Sequence, residues 1–236
     1  MTEITPDQVV FWQWGWFKLN ATIVFTWVVM ALLAGGSWLV TRRLSTGTKL
    51  SRPQHLAEML IGFIENEIRE TAGEKATRVF PLIATLLLFI GLSNLLMVVP
   101  GFVSPTASLS TAAALALCVF VTAPAYGILD RGLPGYLKQY AEPTPIMLPF
   151  NIIGELSRTL ALAVRLFGNI MSGLKVGAIL LAVIPFVFPV FLHVLGLLTG
   201  MIQAYIFGVL GTVYIASAME THKHTGGDGN TGEEAG

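Results

Sequence analysis

Charge is what this chain has least of. Only 12% of its 236 residues are charged, against about a quarter in an ordinary soluble domain. The 14 basic and 14 acidic side chains cancel, so there is no net positive field to hold a nucleic acid. Cysteine is nearly absent. Cys118 stands alone in an apolar run, which excludes a disulfide framework and a thiolate metal site. There is no glycine-rich phosphate loop, no nucleophile beside a base and no metal-ligand spacing. Such a chain is expected to have no hydrolytic activity of its own and to need no cofactor. Short strands of alternating polarity are missing as well, so a transmembrane barrel is excluded. No internal repeat of the transporter kind is visible.

What is there is hydrophobicity. Apolar residues make up 54% of the chain, and the mean hydropathy is +0.71. Several apolar runs approach or exceed about 18 residues, long enough to cross a bilayer as helices. The pattern predicts an all-α membrane protein of about five membrane-embedded helices plus one amphipathic surface helix. Residues 1–220 read as a single polytopic domain. Residues 221–236, polar and glycine-rich, read as a disordered cytoplasmic tail.

Trp12, Trp14 and Trp16 suit the headgroup zone in front of a first span near 20–40. That span is long and runs into Arg42 and Arg43, so it reads as an anchor rather than a cleaved signal. Arg42, Arg43, Lys49 and Arg52 mark the cytoplasmic side, which puts the N-terminus outside. Between 51 and 73, Leu56, Leu60, Phe63, Ile64 and Ile68 share one helical face, with Glu58, Glu65, Arg69 and Glu70 over much of the rest. This helix either lies on the cytoplasmic surface or packs on a partner. A second span is expected near 81–99 and a third near 111–129, kinked at Pro124. The Pro- and Gly-rich stretch after Leu129 should be irregular.

The last two apolar segments, 150–184 and 189–219, are too long for the membrane. As helices they run about 52 and 46 Å, against a hydrocarbon layer of about 30 Å. They should form an oblique hairpin, the first either tilting steeply or breaking near Gly168, Gly173 or Gly177.

The first of these carries charge where charge is expensive. Arg158 and Arg165 are seven residues apart and share a face to within about 20°. Glu155, Leu162, Asn169 and Ser172 lie on or near that stripe, and Lys175 about 80° round from it. A polar line of this kind must face protein, water or a partner. Arg165 never loses its proton. It therefore cannot relay one, but it can attract a carboxylate and keep it ionised. The alternative is an internal packing pair, yet Glu155 is ten residues away on the same helix, about 15 Å. Arg158, three residues from Glu155, reads as its ion-pair partner. Lys175 is either a snorkelling anchor or part of a pathway. His193, next to the outer turn, is either structural or a site of proton uptake. Gln203 needs a partner inside the membrane, with Arg165, Asn169 and Ser172 as candidates, and Asn94 has the same need.

Four stretches together carry a resemblance. They are RLFGN at 165–169, PTP at 143–145, LPFNII at 148–153 and IQAYIF at 202–207. The segment from Phe80 to Glu220 resembles subunit a of the F-type ATP synthase. That resemblance implies a stator beside a rotating ring of c subunits, held by peripheral-stalk b subunits in the bacterial inner membrane. Two half-channels would admit an ion from outside, load it on a ring carboxylate, and release it to the cytoplasm. The family's essential arginine corresponds to Arg165 and its glutamine partner to Gln203. The family's amides correspond to Asn169 and Asn94. The sequence departs from many relatives on the outer path. Leu174 stands where a glutamate is common, followed by Lys175. Gly196 stands where some have a histidine, with His193 one turn away. Residues 106–110 contain no aspartate. Ser108, Ser110, Ser172 and His193 are the polar groups left there. This pattern resembles a sodium-associated branch of the family. Protons are the first expectation and sodium the alternative. A self-contained transporter would instead move solute as a purified chain, and a mere structural anchor would tolerate loss of Arg165.

Overall fold

A computed structural model describes residues 10–14, 17–42, 52–73, 76–99, 102–141, 147–183 and 188–219. The tail and the PTP motif lie outside the described residues. Five helices are long and apolar enough to cross a membrane, so the expected all-α membrane architecture is the one found.

A small antiparallel hairpin precedes the first span. Strand β1 (Val10–Trp14) pairs with β2 (Phe17–Asn20), with an irregularity between Val10 and Trp12. Sequence reading saw only headgroup-zone tryptophans in this stretch, although aromatic and branched residues favour strands. Helix α1 (Ala21–Arg42) follows, with only Ala21, Thr22 and Val29 buried. Its exposed Trp27, Met30, Trp38 and Leu39 form an apolar outer surface suited to lipid.

Helix α2 (Arg52–Ala72) packs on two later helices, α3 (Ala76–Leu95) and α6 (Phe188–Met219). Only part of its expected apolar face is covered. Ile64 and Ile68 are buried with Val79, Ile83, Ile215 and Met219, whereas Leu56, Leu60 and Phe63 are exposed. Helix α3 begins five residues before Pro81, which stands in its second turn rather than at its start. A short turn of 3-10 helix (Leu96–Val98) closes it. The chain then folds inward through a second such turn, Pro105–Ala107. Ser104, Thr106 and Ser108 are fully buried there, and hydroxyls pair as Ser104 with Thr106 and Ser108 with Ser110.

Helix α4 (Leu109–Ala141) runs well past the end expected for the third span. The backbone stays helical through Pro124 and departs only at Gly132, with φ +75°. Glycine alone takes that conformation without strain. Pro134, two residues on, suits the first turn of a new helical stretch, where its missing N–H has no partner to lose. The expected irregular loop is therefore helical as far as Ala141.

Helix α5 (Met147–Val183) runs 37 residues with no non-helical residue inside. None of the candidate glycines breaks it. At about 55 Å it exceeds the hydrocarbon layer by some 25 Å, so tilt or protrusion must absorb the excess. Helices α3 to α6 share one core of Ile90, Ala116, Leu162, Leu166, Ile170 and Phe207. Without hydrophobic driving force in lipid, such helices associate through close packing of small residues. At Gly208 an added Cβ would lie 2.7 Å from Leu87.

Candidate ion-translocation site

Arg165 points out of the helical bundle. It is exposed and makes no hydrogen bond or ion pair with any described residue. Its immediate neighbour Leu166 is fully buried and anchors that turn of α5 in the core. The bundle thus fixes the backbone beneath the guanidinium and leaves its charge without an ion-pair partner among the described residues.

Two cavities flank this residue along α5, called inner toward the N-terminal end of the helix and outer toward its C-terminal end. The inner one, about 380 Å³, lies among α4, α5 and α6 and is lined by Asn151, Glu155, Arg158, Thr159, Tyr214 and Ser217 together with apolar side chains. The outer one, about 260 Å³, is lined by Asn94, Asn169, His193 and Thr199 among glycines and aliphatic residues, including Leu174 and Gly196. Arg165 lines neither. It falls in the stretch of α5 between Thr159 and Asn169, about 15 Å long.

The structure gives several of the predicted polar residues partners that spacing did not name. Asn94 Nδ2 donates to the Gly200 carbonyl at 2.7 Å, and Asn169 Nδ2 donates to the Thr199 carbonyl at 3.3 Å. Both amides therefore clamp successive carbonyls of α6, from α3 on one side and α5 on the other. Glycine at 200 gives the Asn94 contact room, because a Cβ there would lie 3.0 Å from the Asn94 side chain and push it aside by a few tenths of an ångström. Ser172 donates to the carbonyl of Asn169. Neither Asn169 nor Ser172 is thus the partner of Gln203, which is buried with its Nε2 unpaired. Asn94 Oδ1 is buried and unpaired as well. The Arg158 guanidinium lies 5.9 Å from the centre of the Tyr214 ring, within reach of a cation–π attraction. His193 is exposed on the outer cavity wall; Lys175 is exposed but lines neither cavity. Ser108 and Ser110 are not on the outer cavity wall either.

Sequence reading missed Tyr214 and Thr199. Both had a signal, since Tyr214 is eleven residues after Gln203 and Thr199 four before it, each within about 40° of the same face.

A family profile described as ATP synthase A chain matches residues 23–216. The chain belongs to that family. Among relatives, a protein of Acaryochloris marina named ATP synthase subunit a 2 is 57% identical over 222 residues, covering 94% of this chain and 95% of the relative. One of Chlorobaculum parvum, named ATP synthase subunit a 1, is 60% identical over 221 residues, covering 94% and 98%. One of Albidiferax ferrireducens, named ATP synthase subunit a, is 57% identical over 221 residues, covering 94% and 96%. As a member of the ATP synthase A chain family with five apolar spans, the chain is an integral, multi-pass membrane protein. Its role is ion translocation in the membrane sector of an F-type ATP synthase, where it works as a channel subunit of a larger complex.

Proposed function

We propose that this chain is the stator half of a rotary ion path, with Arg165 as the fixed cation that faces a carboxylate on a ring of c subunits. The observation that carries this reading is an exposed guanidinium, unpaired among the described residues, on an unbroken helix between two separate cavities. A guanidinium stays protonated in any such setting. An ionised ring carboxylate is stabilised beside it, and a neutralised one arriving there is driven to release its ion. Because Arg165 itself cannot carry a proton, it also separates the cavities. The outer cavity then serves as the half-channel through which ions reach the ring, with Asn94, Asn169, His193 and Thr199 as its polar lining. The inner cavity is the half-channel to the cytoplasm, with Glu155 and Arg158 on its wall. Asn94 and Asn169 act by holding α6 in place, and Gln203 supports the ring-facing surface from within. Ser172, bonded to its own helix, and Lys175, off both cavities, belong to the α5 surface rather than to a cavity wall.

The chain alone catalyses no reaction. It works with the c-ring and with peripheral-stalk b subunits in the inner membrane of a bacterium, N-terminus outside and C-terminus in the cytoplasm. Protons are the coupling ion. Sodium is the second reading: among the described residues no carboxylate lines the outer cavity, which fits the resemblance to a sodium-associated branch. ATPase stimulation by sodium at alkaline pH in the whole complex distinguishes the two. For the central role, Arg165→Ala should abolish ATP-driven ion pumping in membrane vesicles while the detached catalytic head still hydrolyses ATP. Undiminished pumping by that variant would refute the reading.

A further inference from the structure

Helix α2 puts a carboxylate where an amphipathic helix should have none. Glu67 lies within about 40° of Leu56, Leu60 and Phe63 on the helical wheel, and all three of those side chains are exposed. The exposed Glu70 lies about 60° from Glu67 on the same side, whereas Glu58, Glu65 and Arg69 lie on a face some 160–180° away. On that face Glu65 and Arg69 pair with each other at 2.9 Å. Glu67 has a different partner. It accepts a hydrogen bond from the hydroxyl of Tyr205 on α6. Tyr205 is itself out of place. On α6 the exposed row Phe191, Val194, Leu195, Leu198, Met201, Ile202, Tyr205 and Val213 has one polar atom, the Tyr205 hydroxyl. Tyr205 is two residues from Gln203 and fourteen from the end of the helix at Met219, about 21 Å. An apolar surface shared by two helices thus contains an ionisable group well inside the span. Such groups are costly to keep in a membrane and by default mark ion paths.

We propose that Glu67 is an ion-handling carboxylate of the cytoplasmic-side path, carried to the middle of α6 by α2 and oriented by Tyr205. The proposal rests on the half-channel reading above and adds a separate cytoplasmic-side branch on the α2 side of α6, opposite the face on which Tyr214 lines the inner cavity. In the synthesis direction the ionised Glu67 takes up a proton released near Arg165 and passes it to water on the cytoplasmic side, ending ionised as it began. With sodium, its oxygens serve as ligands for the departing cation.

Two substitutions separate this role from a mere clamp. Glu67→Gln keeps an oxygen that accepts from Tyr205 and removes only the ionisable group. Tyr205→Phe removes the hydrogen bond and keeps the acid. In vesicles containing the whole complex, Glu67→Gln should lower ATP-driven ion pumping several-fold per assembled complex, Glu67→Asp should restore most of it, and Tyr205→Phe should have the smaller effect. Parental pumping by Glu67→Gln, with Arg165→Ala inactive alongside, overturns the proposal and leaves the half-channels standing. Pumping by Arg165→Ala overturns the half-channel reading itself. Should the Gln variant fail to assemble, Glu67→Cys in a chain with Cys118→Ala decides. Labelling by a charged, water-soluble thiol reagent with loss of pumping supports the role, and absence of labelling overturns it.

Discussion

The inner and outer cavities flank the same arginine, yet their walls are chemically unlike. The inner wall carries an acid, a base, an amide, two hydroxyls and a phenol, whereas the outer wall has two amides, one hydroxyl and one imidazole among glycines and aliphatics. On the proposed path, an ion leaving through the inner cavity meets formal charges. One arriving through the outer cavity meets two amides, a hydroxyl and an imidazole, and both amides are already committed to holding α6. The difference teaches that polar residues on a membrane helix do two jobs, and position alone does not reveal which. On the inner side they line the path. On the outer side they first set the spacing of the helices that form it.

If the outer amides are clamps, crowding them should do more damage than removing a charge from the inner wall. Gly200→Val forces Asn94 off the Gly200 carbonyl and overpacks the contact between α3 and α6, a cost of about 1–3 kcal/mol. The expected result is a lower melting temperature of the detergent-solubilised complex and loss of most ion pumping. Normal assembly and pumping in this variant would put Asn94 back among pathway residues. Glu155→Gln should have a moderate effect, because Arg158 retains its Tyr214 ring contact and the other polar groups of the inner wall persist. Pumping should fall a few-fold with no change in complex yield. Lys175→Ala should change least, since Lys175 lines neither cavity. Its pumping rate should match the parent's, and a marked rise would show that this cation does oppose ions on the outer side.

The same contrast explains what the sequence disclosed. Long apolar runs are unambiguous, so the five spans and the overlong hairpin were legible from composition and length. Arg165 was legible because a permanent charge in an apolar helix has few bland explanations. The amide clamps were not legible. A side chain that bonds to a distant backbone carbonyl leaves no trace in spacing, and the glycine that admits it looks like any other. The helical stretch beyond Gly132 was hidden by its Pro and Gly content, which reads as loop until one residue takes positive φ and the next proline restarts the helix. Glu67 was passed over for a similar reason: its partner Tyr205 stands 138 residues away.

The most direct measurement is a density map of the assembled complex at a resolution that shows side chains. The Arg165 guanidinium should face the rotor at the level of a ring carboxylate, with separate water-filled paths on its two sides. A guanidinium turned to lipid, or bound to an acid of its own chain away from the rotor, would contradict the account.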